Sequence, residues 1–533
     1  LDVKWFSPNS AMSEKSQVIK AAGVVGAATL LSRILGFIRD AVIAWYFGAG
    51  QNSDAFIAAF RIPNLLRKLL GEGSISNAFV PVLTEYLAID GKDEAFRLAR
   101  SALWALSIIL VLISLAGILA APLIVKIIAP GFIDTPQKLS LTISLTRIMF
   151  PYIFFIGLVA LCMGILNVFG HFAAPALAPV LLNLAIVCSV FFLCPHLDTP
   201  VLGLAIGVMI GGITQLLFQL PAMVGRGFKF WPKTKIFHPG LKKMSRLMPP
   251  VILGGAVYQI NVLVGTLLGS FLPEGSVTVL YFADRLVQFP LGIFAIAAAT
   301  AVLPSLSRQA ALQDLTALKD TFSYAVRLTL FLTIPSMVGL IILRRPIITV
   351  LFQRGEFSLD AALLTAQALL YYAIGLWAFS TVRIVAATFF AIKDTRTPMV
   401  MATISIFANM VLGIVLMKPL AHGGLALATS LASVLNLMLL VIALRKKLGS
   451  LGWRRITQSA LKTLGSATVM GAAVWLAAQV LLPDEGAAFT QLLAGLLACV
   501  VCGIVVFGVC SYGSKSPEFA NMLAEIKIGL SRK

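Results

Sequence analysis

Fourteen apolar runs, each long enough to cross a bilayer, follow one another along this chain and leave little sequence for anything else. At about 20 predominantly apolar residues per span, the runs centre on residues 22–47, 53–70, 99–128, 139–168, 173–194, 201–224, 246–271, 276–304, 322–343, 361–391, 397–417, 422–444, 458–482 and 488–512. Backbone polar groups inside hydrocarbon must be bonded within a helix or a closed barrel. The ten-residue alternation of barrel strands is missing. Only 12% of the residues are charged and mean hydropathy is +0.95, against about 25% charged residues in soluble domains. The expected fold class is therefore an all-α polytopic membrane protein. Gly71-Glu72-Gly73-Ser74 should break the second run, with a continuation to residue 88, and Pro63, Pro81, Pro151, Pro290, Pro304 and Pro335 should kink helices.

A net charge of +20 would suggest nucleic acid in a soluble protein; here its distribution reads as topology. The connection after the sixth span holds Arg226, Lys229, Lys233, Lys235, Lys242, Lys243 and Arg246 with no acid, and that after the twelfth holds Arg445, Lys446, Lys447, Arg454 and Arg455. Odd-numbered connections are poorer in cations, except the one carrying Arg344, Arg345 and Arg354. Positive loops stay inside, so even connections and both termini are expected in the cytoplasm. Residues 1–11, ahead of Met12, read as an expression-tag remnant, and the first span as a retained helix with no cleavable signal before it.

The chain repeats itself at an offset of roughly 222–226 residues. AAFRIPN around Arg61 matches FADRLVQ around Arg285, and FVPVL at 79–83 matches VLPSL at 302–306. PLIVKIIAPGF at 122–132 matches PIITVLFQRGEF at 346–357, Asn183 aligns with Asn409, and GLA recurs at 203–205 and 424–426. Each repeat holds six spans, so both enter the membrane with the same orientation. Two six-helix lobes related by a pseudo-two-fold axis along the membrane normal are expected, an architecture of transporters that rock about a central site. The lobes fall at 12–225 and 246–447, joined by a basic linker at 226–245; two further spans occupy 448–513 and a cytoplasmic amphipathic tail 514–533.

Ionisable residues inside the first two spans carry the functional signal. Arg33, Arg39, Asp40, Asp54, Arg61, Arg67 and Glu72 lie in or between apolar segments, where one charge at the bilayer centre costs about 2.5–3.5 kcal/mol. Arg33 and Asp40 share a helix face, as do Asp54 and Arg61, each pair being seven residues apart. A water-accessible cavity lined by arginine accounts for them; the alternative is that they pair and hold helices together. Arginine's planar fork suits phosphate, and Arg285 beside Asp284 would add a cation from the second repeat. Arg147 and Arg383 are further candidates that could equally snorkel or pair.

Other chemistries have thin support. There is no Walker motif, HExxH or GxSxG, the four histidines form no ligand cluster, and Cys499 and Cys502, though spaced CxxC, lie in an apolar span and read as packing residues. No metal or cofactor is expected; membrane potential or an ion gradient would supply the driving force. An exporter of organic cations would favour acids over arginines, and a membrane-embedded transferase would need free acidic pairs that are not evident.

At SRILGFIRD, FGAGQNSDAFIAAFRIPNLLRKLLGEGSISNAFVP and YFADRLVQFP the sequence closely resembles the MurJ (MviN) family of bacterial lipid II flippases, from about Ser13 to the tail. The family belongs to a superfamily that also holds MATE-type multidrug exporters and polysaccharide flippases, which provide the alternative function. The resemblance implies fourteen helices in two lobes plus a last pair shaping a lipid-facing groove, in the bacterial inner membrane, here expected to be monomeric. It implies a substrate of undecaprenyl-diphosphate-linked MurNAc-pentapeptide-GlcNAc, required arginines at Arg33, Arg39, Arg67 and Arg285 with Asp40 beside them, and an exposed rim at Asp54 and Ser76 for gating or headgroup contact. Some members bind sodium between spans seven, eleven and twelve. Asn261, Asn409 and Thr429 are the candidates here, and Gly413 stands where a relative has an acid. Gln288 replaces a glutamate found beside Arg285 in some relatives.

Overall fold

The computed structural model describes residues 8–69, 75–230, 238–483 and 488–531. Every regular element among them is a helix, and the chain divides into two compact units, Leu1–Leu263 and Val264–Lys533. The predicted break at 71–74 lies outside the described residues.

The first unit contains α1 (Pro8–Phe47), α2 (Gln51–Leu69), α3 (Ile75–Ile89), α4 (Lys92–Ile128), α5 (Pro136–Met149), α6 (Tyr152–Val168), α7 (Ala173–Phe192), α8 (Val201–Gly225) and the start of α9 (Pro239–Gly269). α5 and α6 are the two halves of one predicted span, parted at Phe150-Pro151, where proline withholds the amide a continuous helix would use. α7 packs on α1 and α8, and α2 lies along α5. Gly117 lets α4 and α5 approach: a Cβ there would sit 1.7 Å from Phe150 Cε1. The core gathers Phe79, Leu83, Phe96, Leu161, Met223 and Phe228. Met244 at the start of α9 joins it, and Lys243 donates to Glu85 at 2.7 Å. These contacts tie the beginning of α9 to the first unit, so the units divide at 263 within α9, later than the lobe boundary at 246 read from the sequence.

The second unit takes the rest of α9, then α10 (Ser276–Pro290), a π-helical turn Leu291–Ile296, α11 (Ala297–Ala311), α12 (Leu315–Ile342), α13 (Arg344–Leu351), α14 (Leu359–Ile374), α15 (Leu376–Ala391) and α16 (Arg396–Leu448), followed by α17 (Trp453–Leu481), α18 (Phe489–Gly513) and α19 (Pro517–Ser531). Pro290 coincides with the departure from α geometry, as expected of a prolyl break. α14 and α15 meet at 42°. α16 is two helices joined at Ala421, whose φ of 46° and ψ of −128° are non-helical, within the predicted gap between residues 417 and 422. Gly424 makes that turn possible, since a Cβ would lie 2.1 Å from the Leu416 carbonyl oxygen.

Nine of the described helical segments are long and apolar enough to span a membrane, ten with the bent pair α14–α15. Their outward faces are hydrocarbon: Leu119 on α4 is 80% exposed and Ile504 on α18 is 68% exposed. Inside, hydroxyls bond within their own helix; Thr333, Thr365 and Ser380 each donate to the carbonyl four residues back at 2.7–2.8 Å. Such bonding satisfies a polar group where water is excluded. The six cysteines are unpaired, with Cys499 buried in the contact of α17, α18 and α13.

The tail, expected as an amphipathic helix, is docked through its first turn. Glu518 is 1% exposed and accepts from Arg327 Nη1 on α12 at 2.8 Å and from Ser516 Oγ at 3.0 Å. Phe519 stands 6.4 Å from Phe331 between ring centres. One carboxylate and one ring therefore seat the start of α19 on α12.

Candidate functional site

Two polar constructions occupy the first unit at the positions where sequence places charge. The first lies between α1 and α7. Arg39 and Asp40 are adjacent in sequence, both turned inward, 8% and 0% exposed. Arg39 Nε and Nη2 donate to Asp40 Oδ1 at 3.0 and 2.6 Å, and Nη1 donates to Asn183 Oδ1 on α7 at 3.1 Å. Asn183 Nδ2 in turn donates to the Ser32 carbonyl at 3.1 Å. Asp40 thus takes its neighbour Arg39; Arg33, expected on the same face as Asp40, stands about 10 Å away along the helix axis. Arg33, one residue beyond the Asn183-bonded carbonyl, is half-buried.

The second construction joins α2 to α5. Asp54, in the first turn of α2, is 1% exposed and accepts from Lys138 Nζ at 2.7 Å. The Lys138 ammonium also lies 4.3 Å from the centre of the Phe132 ring. Asp54 is therefore a buried ion-paired group, where the family resemblance implies an exposed rim. Ser76 lies on α3 with its side chain outside the described residues. Lys138 escaped the sequence reading because a lysine two residues into a helix, after Pro136, resembles an end-of-span snorkel. The available signal was that Asp54 has no cation three or four positions along its own helix. Further along α2, Arg61 is half-buried and Arg67 Nε donates to Asn64 Oδ1 at 3.1 Å.

In the second unit α10 carries Asp284, Arg285 and Gln288, all half-buried. Gln288 Nε2 donates to Asp284 Oδ2, so the residue that replaces a glutamate acts as a donor to the acid beside Arg285. Arg383 is half-buried on α15 and Arg147 exposed on α5. Among the sodium candidates, Asn409 is buried, Thr429 Oγ1 back-bonds to Leu425 O at 3.0 Å, and Asn261 falls in the other compact unit. Among the described residues no three His, Cys, Asp or Glu side chains converge as metal ligands.

A groove of about 520 Å³ beside α5, lined by Pro136, Gln137, Ser140, Ser144, Thr199 and two leucines, contains no cation and does not suit a phosphate. The charge lies on α1 and α2. From Gly23 to Leu69 five cations (Arg33, Arg39, Arg61, Arg67, Lys68) stand against two acids, Asp40 and Asp54, both already engaged by Arg39 and Lys138. Guanidinium groups pair most strongly with anions that present two oxygens.

Comparison with known proteins gives the same direction. Residues 43–509 match the family model described as lipid II flippase MurJ. A Vibrio cholerae protein described as a probable lipid II flippase MurJ is 37% identical over 504 residues, covering 93% of this chain and 95% of its own. A Burkholderia cenocepacia lipid II flippase MurJ is 36% identical over 449 residues, 82% of this chain and 86% of its own. A solved lipid II flippase MurJ in an inward closed conformation superposes with a TM-score of 0.76 at 29% identity, over 92% of this chain and 99% of that one. An inward-facing MATE multidrug transporter shares the fold at a TM-score of 0.66 and 17% identity, over 81% of this chain and 98% of its own. By sequence across most of its length, and by fold, the chain belongs to the MurJ family of lipid II flippases.

Proposed function

We propose that the protein translocates lipid II from the inner to the outer leaflet of the bacterial cytoplasmic membrane, as a transporter and not an enzyme. The observation that carries the reading is the net-positive stretch from Gly23 to Leu69 in α1 and α2, five cations to two acids inside an otherwise apolar helical body. Arg33, Arg61 and Arg67 contact the diphosphate, with Arg285 contributing from the second repeat and the Arg39–Asp40 pair holding α1 against α7. Organic cations, the cargo of a MATE-type exporter, would meet repulsion from the same surface.

Fourteen spans follow if α1, the α2–α3 pair and α9 each count as one and α16 as two, added to the nine long apolar segments and the bent pair. The repeat at 222–226 residues supports two lobes working by alternating access, and the basic even-numbered connections support cytoplasmic termini. The cycle runs on membrane potential or an ion gradient in a monomer; Asn409, Thr429 and Asn261 are the sodium candidates. Expression in a bacterium depleted of its own lipid II flippase tests the reading. Restored growth, with lipid II newly reachable from the periplasm, is the expected result. Full-length protein in the membrane with lipid II still confined to the inner leaflet would contradict it.

A further inference from the structure

We propose that Lys138 is a positioning residue of the transport cycle: its ion pair with Asp54 fixes the rotational setting of α2, and so the direction in which Arg61 and Arg67 present their guanidinium groups. The inference rests on the flippase reading above. The pair is buried on both sides, Lys138 at 6% and Asp54 at 1% exposure, with Nζ 2.7 Å from Oδ2. Lys138 is held a second time by the Phe132 ring at 4.3 Å, the arrangement that stabilises an ammonium over an aromatic face. Its own turn of α5 is pinned as well: Thr142 Oγ1 donates to the Lys138 carbonyl at 2.7 Å and Thr146 Oγ1 to the Thr142 carbonyl at 2.7 Å.

On the other partner, Asp54 occupies the first turn of α2, where a carboxylate also complements the helix dipole. Its amide donates to the Gly50 carbonyl at 2.9 Å. From there α2 stays helical through Arg61 and across Pro63, which withholds one amide from the ladder, to Arg67. The helix transmits an angle set at its first turn to Arg61 two turns away, and through the prolyl turn to Arg67. Guanidinium groups that must meet a diphosphate through paired donors lose most of their advantage when misdirected by about 1 Å. Asp54, with its carboxylate enclosed, serves α2 in this way and does not itself touch the headgroup.

The test uses purified full-length protein in vesicles with labelled lipid II, reading both the half-saturating lipid concentration and the maximal exchange rate. Lys138→Met should raise the half-saturating concentration about tenfold, and Lys138→Arg, which keeps the charge and the ring contact, should return it to within about threefold. Lys138→Met leaves a lone buried carboxylate and risks misfolding, so Asp54→Asn/Lys138→Met is measured beside it, with thermal unfolding of every variant. The paired neutral variant should unfold at the wild-type temperature yet show the raised half-saturating concentration, which a merely structural role would not produce. Wild-type half-saturation and rate in that folded variant would overturn the inference while leaving the flippase reading intact. Wild-type protein that exchanges no lipid II beyond protein-free vesicles would overturn both.

Discussion

Asn183 holds Arg39 and the backbone of the same helix at once. Its Oδ1 accepts from Arg39 Nη1 and its Nδ2 donates to the Ser32 carbonyl, both at 3.1 Å, although 144 residues separate Arg39 from Asn183. One amide side chain on α7 thereby fixes the turn of α1 that begins with Arg33.

Replacing Asn183 with Leu should therefore weaken transport without touching an arginine. A hydrogen bond to a charged group contributes about 1.5–3 kcal/mol, so lipid II exchange should fall about ten- to a hundredfold at normal abundance. Asn183→Asp, which keeps the acceptor and adds a charge beside Arg39, should lose activity through neutralisation. Unchanged exchange rates in Asn183→Leu would show that Arg39 keeps its setting without α7.

The tail makes a separate prediction. Breaking a buried ion pair by removing one partner costs about 3–5 kcal/mol, and Arg327 retains 19% exposure on its side chain, which moderates this. Glu518→Gln should lower the thermal unfolding midpoint in detergent, and Arg327→Met with Glu518→Leu should regain most of the loss. Equal midpoints in Glu518→Gln and wild type would mean that α19 does not depend on this contact.

Charge patterning made the helices legible but not their polar partners. Span lengths located the turn between the two arms of α16, because hydrophobic runs and the Pro419–Gly424 segment both register in one dimension. The repeat paired Asn183 with Asn409, and both proved buried. What escaped was contact between helices distant in sequence: Lys138 meeting Asp54 across 84 residues and Arg327 meeting Glu518 across 191. Periodicity describes which face a residue occupies and carries no information on which helix lies opposite. Seven-residue spacing puts Arg33 and Asp40 on one face but about 10 Å apart along the axis, and it could not show that Asp40 takes the adjacent Arg39.

The connection between α15 and α16 is closed by Asp394, which accepts from Lys447 Nζ at 2.5 Å and from the Thr397 amide at 3.0 Å. Burial disfavours its charge, but the Lys447 and Thr397 hydrogen bonds outweigh that and hold its pKa at about 2. An unfolded Asp titrates near ~3.9. The folded value is depressed, so the contribution is fully present above the unfolded value and disappears as pH falls through about 2. Thermal midpoints should therefore decline between about pH 5 and pH 2 in wild type, and Asp394→Asn should flatten that portion. Parallel pH profiles would contradict the assignment.

Topology can be checked by cysteine labelling after replacing the six native cysteines. A cysteine at Asn52, an exposed position before Ser53 on α2, should react with a membrane-impermeant maleimide in intact cells. One at Arg454, among the basic residues opening α17, should react only after permeabilisation. The reverse pattern would invert the orientation and the direction of transport with it.

The central claim, that guanidinium groups carry lipid II through the membrane by its diphosphate, is tested most directly by leaflet exchange of labelled lipid II in reconstituted vesicles. Wild-type protein should exchange it without nucleotide, Arg285→Ala and Arg33→Ala should each lose about ten- to a hundredfold, and lysine at either position should recover only part, because it keeps the charge but not the fork. Exchange at the wild-type rate in folded Arg33→Ala and Arg285→Ala proteins would contradict the account.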